Sequence, residues 1–285
     1  MSMILGVHVS TEGGIYEAIS RAKDLGCNTM QIFSRNPQRW RQSFLNKDDI
    51  SEFNRREEQL KVRPIFIHVP YLINLASPNP RLYESSIEAY IEDILEAHAL
   101  KADYIVTHMG SHKETSEEKG LKRLTEALDI IIERTNNTKV GILLENTAGS
   151  GSWLGYKFTH QKAVLDGLAR RERVGFCIDT AHAFLAGYDI STEGGLEAML
   201  AEIDKMSGLD LVKLIHLNDA KDRLGSHHDV HEHIGKGKIG VEGMRRIINH
   251  PQLRNKPFIL ETPKKGTHDD AINLAVVRGL RDNKR

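Results

Sequence analysis

Seven short apolar segments of the sequence end, or nearly end, on a residue type that binds metal ions. Apolar runs of this length, bounded by turn-forming residues, are typical of buried strands in a parallel sheet. The polar residues that end them would lie together along one edge of that sheet, which predicts a metal site built from strand ends. The segments are ILGVH, FIH, YIVTH, GILLE, GFCID, KLIH and FILE, ending at His8, His68, His108, Glu145, Asp179, His216 and Glu261.

Strand-like and amphipathic helical patterns alternate eight times along the chain. This alternation predicts an α/β fold, a closed (β/α)8 TIM barrel with its helices outside, and the 285 residues suit a single domain over 1–285. Strands are predicted near residues 4–9, 29–33, 65–68, 104–108, 140–145, 174–179, 212–217 and 257–261. Helices are predicted near residues 14–25, 49–61, 80–100, 117–135, 160–171, 193–206, 241–249 and 269–282.

The connections that follow the second, third, fifth and seventh predicted strands are long, whereas most returns from helix to strand are short. A (β/α)8 barrel carries its active site at the carboxyl ends of its strands, where the strand-to-helix connections lie. The ligand-type residues and the long connections therefore share one face of the predicted barrel.

Charge and composition limit the partners and the location. With 39 basic and 39 acidic residues, the chain could hold nucleic acid only through a local basic patch. The sequence shows no secretory signal and no segment near the roughly 18 apolar residues of a membrane span. We therefore expect a cytoplasmic protein without membrane contact, in which Cys27 and Cys177 are reduced core residues.

Further ligand-type residues lie in the connections after the sixth and seventh strands: His182 in DTAHAFLAGYD, and Asp229 and His231 in SHHDVHEH. Carboxylates crowded at a barrel mouth repel one another unless cations lie between them. Imidazole and carboxylate together suit Zn²⁺ or Mn²⁺, and so many ligands predict two or three ions. The predicted ligands are His68, His108, Glu145, Asp179, His182, His216, Asp229, His231 and Glu261.

Other residues are predicted to surround this site. His8 has no acidic neighbour in the sequence, so we expect it to form a hydrogen bond to a ligand rather than bind metal. Arg35 and Arg39 follow the second strand and, if they are more than ordinary surface charges, would contact DNA phosphates. Tyr71 and Leu72, after the third strand, either cap the core or act as a wedge between base pairs.

A series of longer motifs covers nearly the full chain: HVSTEGG, FSRNPQRW, HVPYLINLAS, THMGSH, LLENTAGSGSWLG, CIDTAHAFLAGYD, IHLNDAKDRLGS, DVHEHIGKGKIG and LETPK. Together they closely resemble the endonuclease IV family of zinc-dependent apurinic/apyrimidinic (AP) endonucleases. ENTAG, DTAHAFLAGYD and HLNDAK followed by D-x-H are specific to that family. The resemblance implies hydrolysis of the phosphodiester 5′ to abasic sites in duplex DNA, leaving 3′-hydroxyl and 5′-deoxyribose phosphate ends, and removal of 3′-blocking groups.

The resemblance also implies three Zn²⁺ ions per chain, with Mn²⁺ as a substitute, in a protein that acts as a monomer. Glu145 would orient or deprotonate the attacking water, and Tyr71 and Leu72 would fill the gap that an extruded abasic nucleotide leaves. The implied ligand sets are His68, His108 and Glu145; Glu145 as a bridge with Asp179, His216 and Glu261; and His182, Asp229 and His231.

The chain departs from the family's pattern at three positions. Val230 and His227 stand where the family usually has basic residues, and Gln38 stands where some members place an arginine. A phosphate contact from position 230 is therefore absent, which bears on DNA affinity and leaves the metal ligands intact.

A second class of enzyme uses part of the same residue set. Sugar isomerases and epimerases of xylose-isomerase-like barrels hold one divalent ion with a Glu, Asp, His and Glu set, which Glu145, Asp179, His216 and Glu261 would match. Such an enzyme would not need the other five residues as ligands.

We predict that the purified protein contains more than one divalent ion per chain, because the ligand-type residues exceed what one ion can use. Elemental analysis of the protein after dialysis measures this ratio. A single ion per chain would favour the isomerase class.

Overall fold

In the part of the chain that the structure describes, eight parallel strands form one sheet that closes into a barrel. The computed structural model of the chain describes residues 3–33, 35, 40 and 45–282. The barrel strands are β1 (Leu5–Val7), β2 (Met30–Phe33), β3 (Ile65–His68), β4 (Tyr104–His108), β5 (Gly141–Glu145), β6 (Val174–Asp179), β7 (Val212–His216) and β10 (Phe258–Leu260). A separate antiparallel hairpin is formed by β8 (Asp219–Ala220) and β9 (His231–Glu232).

Helices lie between the strands. Their bounds are α1 (Glu17–Asp24), α2 (Lys47–Leu60), α3 (Pro80–Ala99), α4 (Glu117–Arg134), α5 (Phe158–Gly167), α6 (Thr180–Ala186), α7 (Glu193–Ser207), α8 (Gly240–Asn249) and α9 (Asp269–Leu280), with a 3₁₀ turn at Leu209–Leu211.

The two ends of the sheet meet at a narrow seam. Neighbours in the sheet follow the order β1, β10, β7, β6, β5, β4, β3 and β2. A parallel bridge between His8 and Gln31 joins β1 to β2, and Val9 N donates to Gln31 O at 2.7 Å. The predicted (β/α)8 barrel is therefore confirmed.

Side chains fill the barrel interior on one side of the strands and pack against the helices on the other. Along β3, Phe66 faces the interior, while Ile65 and Ile67 belong to the core shared with the helices. This alternation follows from the strand period of two, and burial on both faces explains why the strands are apolar throughout. The interior layer consists of Phe66, Val106, Leu143, Cys177, Leu214 and Ile259.

Two elements differ from the sequence prediction. DTAHAFLAGYD, predicted to be a connection, contains the seven-residue helix α6, which begins directly after β6. The β8–β9 hairpin, with strands of two residues each, also lies where the sequence predicts a loop. Both are shorter than the window in which hydrophobic periodicity can be recognised. His182 therefore lies on a helix and His231 on a strand, whereas Asp229 lies in the loop between β8 and β9.

The eight predicted strands and the eight predicted helices are otherwise present, with the largest shift at α5, which ends at Gly167 rather than near residue 171. Within the described ranges, none of the helices combines the length and the apolar character that crossing a membrane requires.

Gly6 on β1 is a residue on which closure of the barrel depends. A Cβ atom at this position would lie 2.0 Å from Thr29 O, next to the start of β2. We predict that Gly6→Ala lowers the free energy of unfolding by about 1–3 kcal/mol or more, because the strands must separate to admit the methyl group. Denaturant unfolding measures the change.

Gly279→Ala is the matched control for this prediction. Gly279 lies in α9 with nothing within 4 Å of the added Cβ, and alanine favours a helix by up to about 1 kcal/mol. Equal effects of the two substitutions would contradict the proposed role of Gly6.

Candidate metal centre

The structure brings all nine sequence-predicted ligand residues together at the carboxyl ends of the strands. Potential ligand atoms lie within 4.8 Å of one another in several groups. The groups are His68, His108 and Glu145; Glu145, Asp179, His216 and Glu261; Asp179, His182 and His231; and Glu145, Cys177 and His216.

Glu145 is the centre of this arrangement. Its carboxylate is fully buried at the end of β5. Oε2 lies 3.1 Å from His68 Nε2 and 3.4 Å from His108 Nε2. Oε1 lies 3.1 Å from His216 Nδ1 and 3.3 Å from His182 Nδ1. Each oxygen therefore faces a different pair of imidazoles, and Glu145 belongs to more than one of the groups that could hold a metal ion.

A second group lies beside Glu145 on β6, β7 and the residue after β10. His216 Nδ1 is 3.2 Å from Glu261 Oε2 and 4.0 Å from Asp179 Oδ2. Asp179 and His216 are paired across neighbouring strands. Three carboxylates thus surround one imidazole nitrogen, an arrangement that favours a cation among them.

The third group contains two histidines that face each other. His182 Nε2 lies 3.4 Å from His231 Nε2 and 3.1 Å from Asp229 Oδ1. Each ring donates its Nδ1 hydrogen to a main-chain carbonyl, His182 to Asn146 and His231 to Glu261. In the neutral rings both Nε2 atoms then present lone pairs to each other. A shared cation removes this repulsion, so the donor set fits a metal ion.

Two buried asparagines hold these ligands in place, and sequence reasoning missed both. Asp179 N donates to Asn146 Oδ1 at 2.8 Å, and Asn146 Nδ2 donates to Asp179 O. Asn218 Nδ2 donates to Asp179 Oδ2 at 2.6 Å, and Glu261 N donates to Asn218 Oδ1 at 2.8 Å. The sequence feature that could have revealed them is an amide side chain within two residues of a predicted ligand, as in Glu145-Asn146 and His216-Leu217-Asn218.

The glycine-bearing loop HIGKGKIG surrounds a carboxylate of the chain itself. The main-chain N–H groups of Gly235, Gly237 and Ile239 donate to Asp219 at 2.9 to 3.0 Å. A Cβ at Gly237 would lie 2.5 Å from Asp219 Oδ1, so only glycine permits this approach. The loop is therefore a turn built around Asp219.

Tyr71 lies at the open face of the metal centre. Its side chain is 61% exposed, and its ring centroid is 6.0 Å from that of His68 and 6.3 Å from that of His108. Leu72 beside it is half-buried. Tyr71 thus does not cap the core, and its ring is available to a ligand above the histidines.

The arginines predicted to contact DNA have different outcomes. The Arg35 side chain is only 5% exposed, and its guanidinium lies 2.8 Å from Asp93 Oδ1 and donates to Ala89 O on α3. Arg35 therefore links the segment after β2 to α3, and its contact with a DNA phosphate stays a prediction. Arg39 and Gln38 lie outside the described residues.

A cavity of about 730 Å³ opens beside the metal centre. His8 lines it, and His8 Nδ1 lies 3.5 Å from Glu261 Oε1. Phe33, Tyr71 and Lys264 also contribute to its wall. The cavity therefore adjoins the Glu261 side of the site.

Cys27 and Cys177 are both buried and free, as predicted. Cys177 nevertheless adjoins the metal centre, because it is paired with Glu145 across β5 and β6 and lies two residues before Asp179 on β6. Burial raises the pKa of the Cys177 thiol to about 12. The thiol is therefore uncharged at neutral pH and belongs to the apolar floor of the site.

Acids and imidazoles shift each other's pKa in this centre. Burial raises the pKa of Glu145, but the imidazoles around it, His216 first, outweigh burial and hold that pKa well below 4.5. Asp229 is affected in the same way, chiefly by His182, and its pKa falls to about 2. Burial lowers the pKa of His182, but Asp179 and Asp229 raise it well above 6.5. Without metal, protons therefore supply the positive charge that the carboxylates need.

The chain is similar in sequence and in structure to known proteins. A family model described as a xylose isomerase-like TIM barrel matches residues 19–281. A Halothermothrix orenii protein named probable endonuclease 4 is 42% identical over 272 residues, which cover 95% of this chain and 98% of that protein. The crystal structure of endonuclease IV from Thermus thermophilus is 33% identical, covers 97% of this chain and 98% of its own, and has a TM-score of 0.86.

A D-tagatose 3-epimerase-like protein shares the fold alone, with 18% identity, a TM-score of 0.75, and coverage of 98% of this chain and 97% of its own. The barrel by itself therefore does not separate a nuclease from a sugar epimerase.

The pKa shifts predict opposite pH dependences for metal-free and metal-loaded protein. The raised pKa values of His182 and His216 stabilise the metal-free fold fully below pH 6.5, and this contribution is lost as pH rises through the raised values. The lowered pKa of Glu145 stabilises the fold above pH 4.5, and this contribution is lost as pH falls through the lowered value. Metal must displace the imidazole protons, so its stabilising effect grows with pH.

Thermal unfolding between about pH 4.5 and 9, with chelator or with Zn²⁺, measures both dependences. The unfolding temperature of the metal-free protein should fall as pH rises above neutral. The increase in unfolding temperature that Zn²⁺ produces should become larger as pH rises. A metal-free midpoint that rises steadily across this range would contradict the assigned charges.

Proposed function

The chain belongs to the endonuclease IV family, and from this premise we propose that it is an AP endonuclease. It hydrolyses the phosphodiester 5′ to abasic sites in duplex DNA, leaves 3′-hydroxyl and 5′-deoxyribose phosphate ends, and removes 3′-blocking groups. The observation that carries this proposal is the convergence of nine ligand-type residues around Glu145, whose two oxygens face separate pairs of imidazoles.

The proposed cofactor is a set of three Zn²⁺ ions. The first set of residues centres on β3 and β4, the second on β6 and β7, and the third on α6 and the β8–β9 hairpin, with Glu145 common to the first two. The sets are His68, His108 and Glu145; Glu145, Asp179, His216 and Glu261; and His182, Asp229 and His231. All of them come from one chain, which supports action as a monomer and as one barrel domain over residues 1–285.

Divalent ions at such a site lower the pKa of water and neutralise the charge that develops on a phosphate during hydrolysis. The Glu145 carboxylate is then the group that orients the attacking water. In the metal-free protein the imidazoles around it hold its pKa well below 4.5, so the carboxylate is ionised at neutral pH and can accept a hydrogen bond from water. An ionised carboxylate in this position would orient the water or take its proton.

Tyr71 and the cavity beside Glu261 support selection of an abasic nucleotide. Extruding a nucleotide from a duplex costs least where no base is present to pair or stack. The exposed ring of Tyr71 lies above the histidines, where, together with Leu72, it would occupy the space that the extruded nucleotide leaves. The adjoining cavity of about 730 Å³ would receive the abasic sugar.

A sugar isomerase is the weaker alternative. Glu145, Asp179, His216 and Glu261 form a group that one ion would use. His182 and His231, however, form a further group with their Nε2 atoms only 3.4 Å apart, and a single-ion enzyme has no need of it. The sequence similarity to proteins named endonuclease 4 over nearly the full chain also favours the nuclease.

A duplex with one tetrahydrofuran abasic analogue tests the proposal, because this analogue cannot undergo β-elimination. We predict chelator-sensitive cleavage on its 5′ side. Glu145→Gln should lower the rate by about 10³-fold or more, the scale expected when a group that acts in the transition state is lost, with a modest loss of DNA binding. Gel analysis of end-labelled strands measures the rate.

Glu88→Gln is the matched control for this substitution, because Glu88 is an exposed residue of α3 that pairs with Arg134. It should cleave at the rate of the unsubstituted protein. Cleavage by Glu145→Gln at that same rate would remove Glu145 from the mechanism, and an uncut duplex with the metal-loaded protein would refute the proposed activity.

A further inference from the structure

Gln31 on β2 is a fully buried residue that contacts two of the proposed ligands at once. Its Nε2 donates to Glu261 Oε1 at 2.6 Å, and its Oε1 accepts a hydrogen bond from His216 Nε2 at 2.7 Å. Nε2 also lies 3.0 Å from His8 Nδ1. A single amide thus links a carboxylate and an imidazole of the second ligand set.

The orientation of this amide follows from its neighbours. A carboxylate can only accept hydrogen bonds, whereas an amide nitrogen can only donate them. Exchanging Nε2 and Oε1 would place an amide oxygen 2.6 Å from Glu261 Oε1, with two acceptors facing each other. The amide oxygen therefore faces His216, and His216 Nε2 must carry the hydrogen.

His216 consequently differs from three other histidines of the centre. His68, His182 and His231 each donate Nδ1–H to a main-chain carbonyl, at 2.7, 2.9 and 3.1 Å. His216 instead turns Nδ1 toward Glu145 and Glu261 and leaves Nε2 for Gln31. The oxygen that fixes the ring comes from a side chain, and it can therefore be removed by substitution.

We propose that Gln31 is a positioning residue for the second ligand set. It fixes the tautomer of His216 with Nδ1 free for an ion, and it orients the Glu261 carboxylate toward the same point. Hydrogen-bond partners of this kind contribute about 10- to 100-fold to metal affinity. This inference rests on the part of the proposed function that places metal ions at the site. It does not depend on which reaction the ions catalyse.

The first test needs no substitution. Nitrogen-15 NMR of the Zn²⁺-loaded protein distinguishes a protonated from an unprotonated imidazole nitrogen. We expect His216 to carry its hydrogen on Nε2, with His68, His182 and His231 protonated on Nδ1. A hydrogen on Nδ1 of His216 would overturn the proposal.

The second test compares Gln31→Met with Gln161→Met. Gln161 on α5 is also buried, and among the described residues neither of its amide atoms has a hydrogen-bond partner. Competition for Zn²⁺ with the chromogenic chelator 4-(2-pyridylazo)resorcinol measures the affinity of each ion. We expect Gln31→Met to weaken one ion by about 10- to 100-fold and Gln161→Met to leave all of them unchanged.

Gln31→Asn covers the case in which Gln31→Met does not fold. It keeps an uncharged amide but is one methylene shorter, so it cannot reach His216 and Glu261 at once and should also weaken one ion. Zn²⁺ affinities equal to those of Gln161→Met, even with a lower unfolding midpoint of the metal-free protein, would reduce Gln31 to a structural residue and overturn the proposal.

These measurements remain distinct from the test of the proposed function. A protein that binds several Zn²⁺ ions with the expected His216 tautomer but leaves abasic duplex uncut would refute the nuclease activity and support the role of Gln31. If instead the protein cuts the duplex and substitution of Gln31 leaves the Zn²⁺ affinities unchanged, the nuclease activity is supported and the role of Gln31 is refuted.

Discussion

The buried carboxylate of Glu145 requires positively charged groups beside both of its oxygens. The rest of the site is arranged around that requirement. A charged group without access to water is costly unless neighbouring groups compensate it. Among the described residues, the compensation comes from four imidazoles rather than from a lysine or an arginine. Imidazoles can release their protons at neutral pH and accept a metal ion instead. Protons on the imidazoles therefore compensate the carboxylate charge in the metal-free protein, and metal ions would compensate it in the metal-bound protein.

Strand register determines which residues can take part. Parallel pairing places His108 beside Glu145 and Asp179 beside His216 at the same level of the barrel. The interior layer below, which includes Phe66 and Cys177, is apolar and closes the site from beneath. A shift of one residue along a strand would turn its ligand away from the barrel mouth. The same strand register therefore determines both the packing of the interior layer and the geometry of the metal centre.

Much of this arrangement could be predicted because a parallel barrel strand is a short apolar run and its last residue points to a known face. Hydrogen-bond partners of the ligands could not be predicted in this way. Gln31 and Glu261 are 230 residues apart in the chain, and an amide within an apolar run has no periodic signal. The pairing of Arg35 with Asp93 could not be predicted either, because a basic residue in a connection gives no indication of which acidic side chain its guanidinium will contact. The helix α6 was too short for its periodicity to be recognised.

Asp179 illustrates how closely folding and ligation are joined in this chain. Its Oδ1 accepts a hydrogen bond from His182 N and begins α6, while its Oδ2 lies toward His216 and His231. Replacing Asp179 with another ligand type, for example to alter metal preference, would remove the cap that starts the helix carrying His182. Any redesign of metal selectivity at this position would therefore have to supply another N-terminal cap for the helix that carries His182.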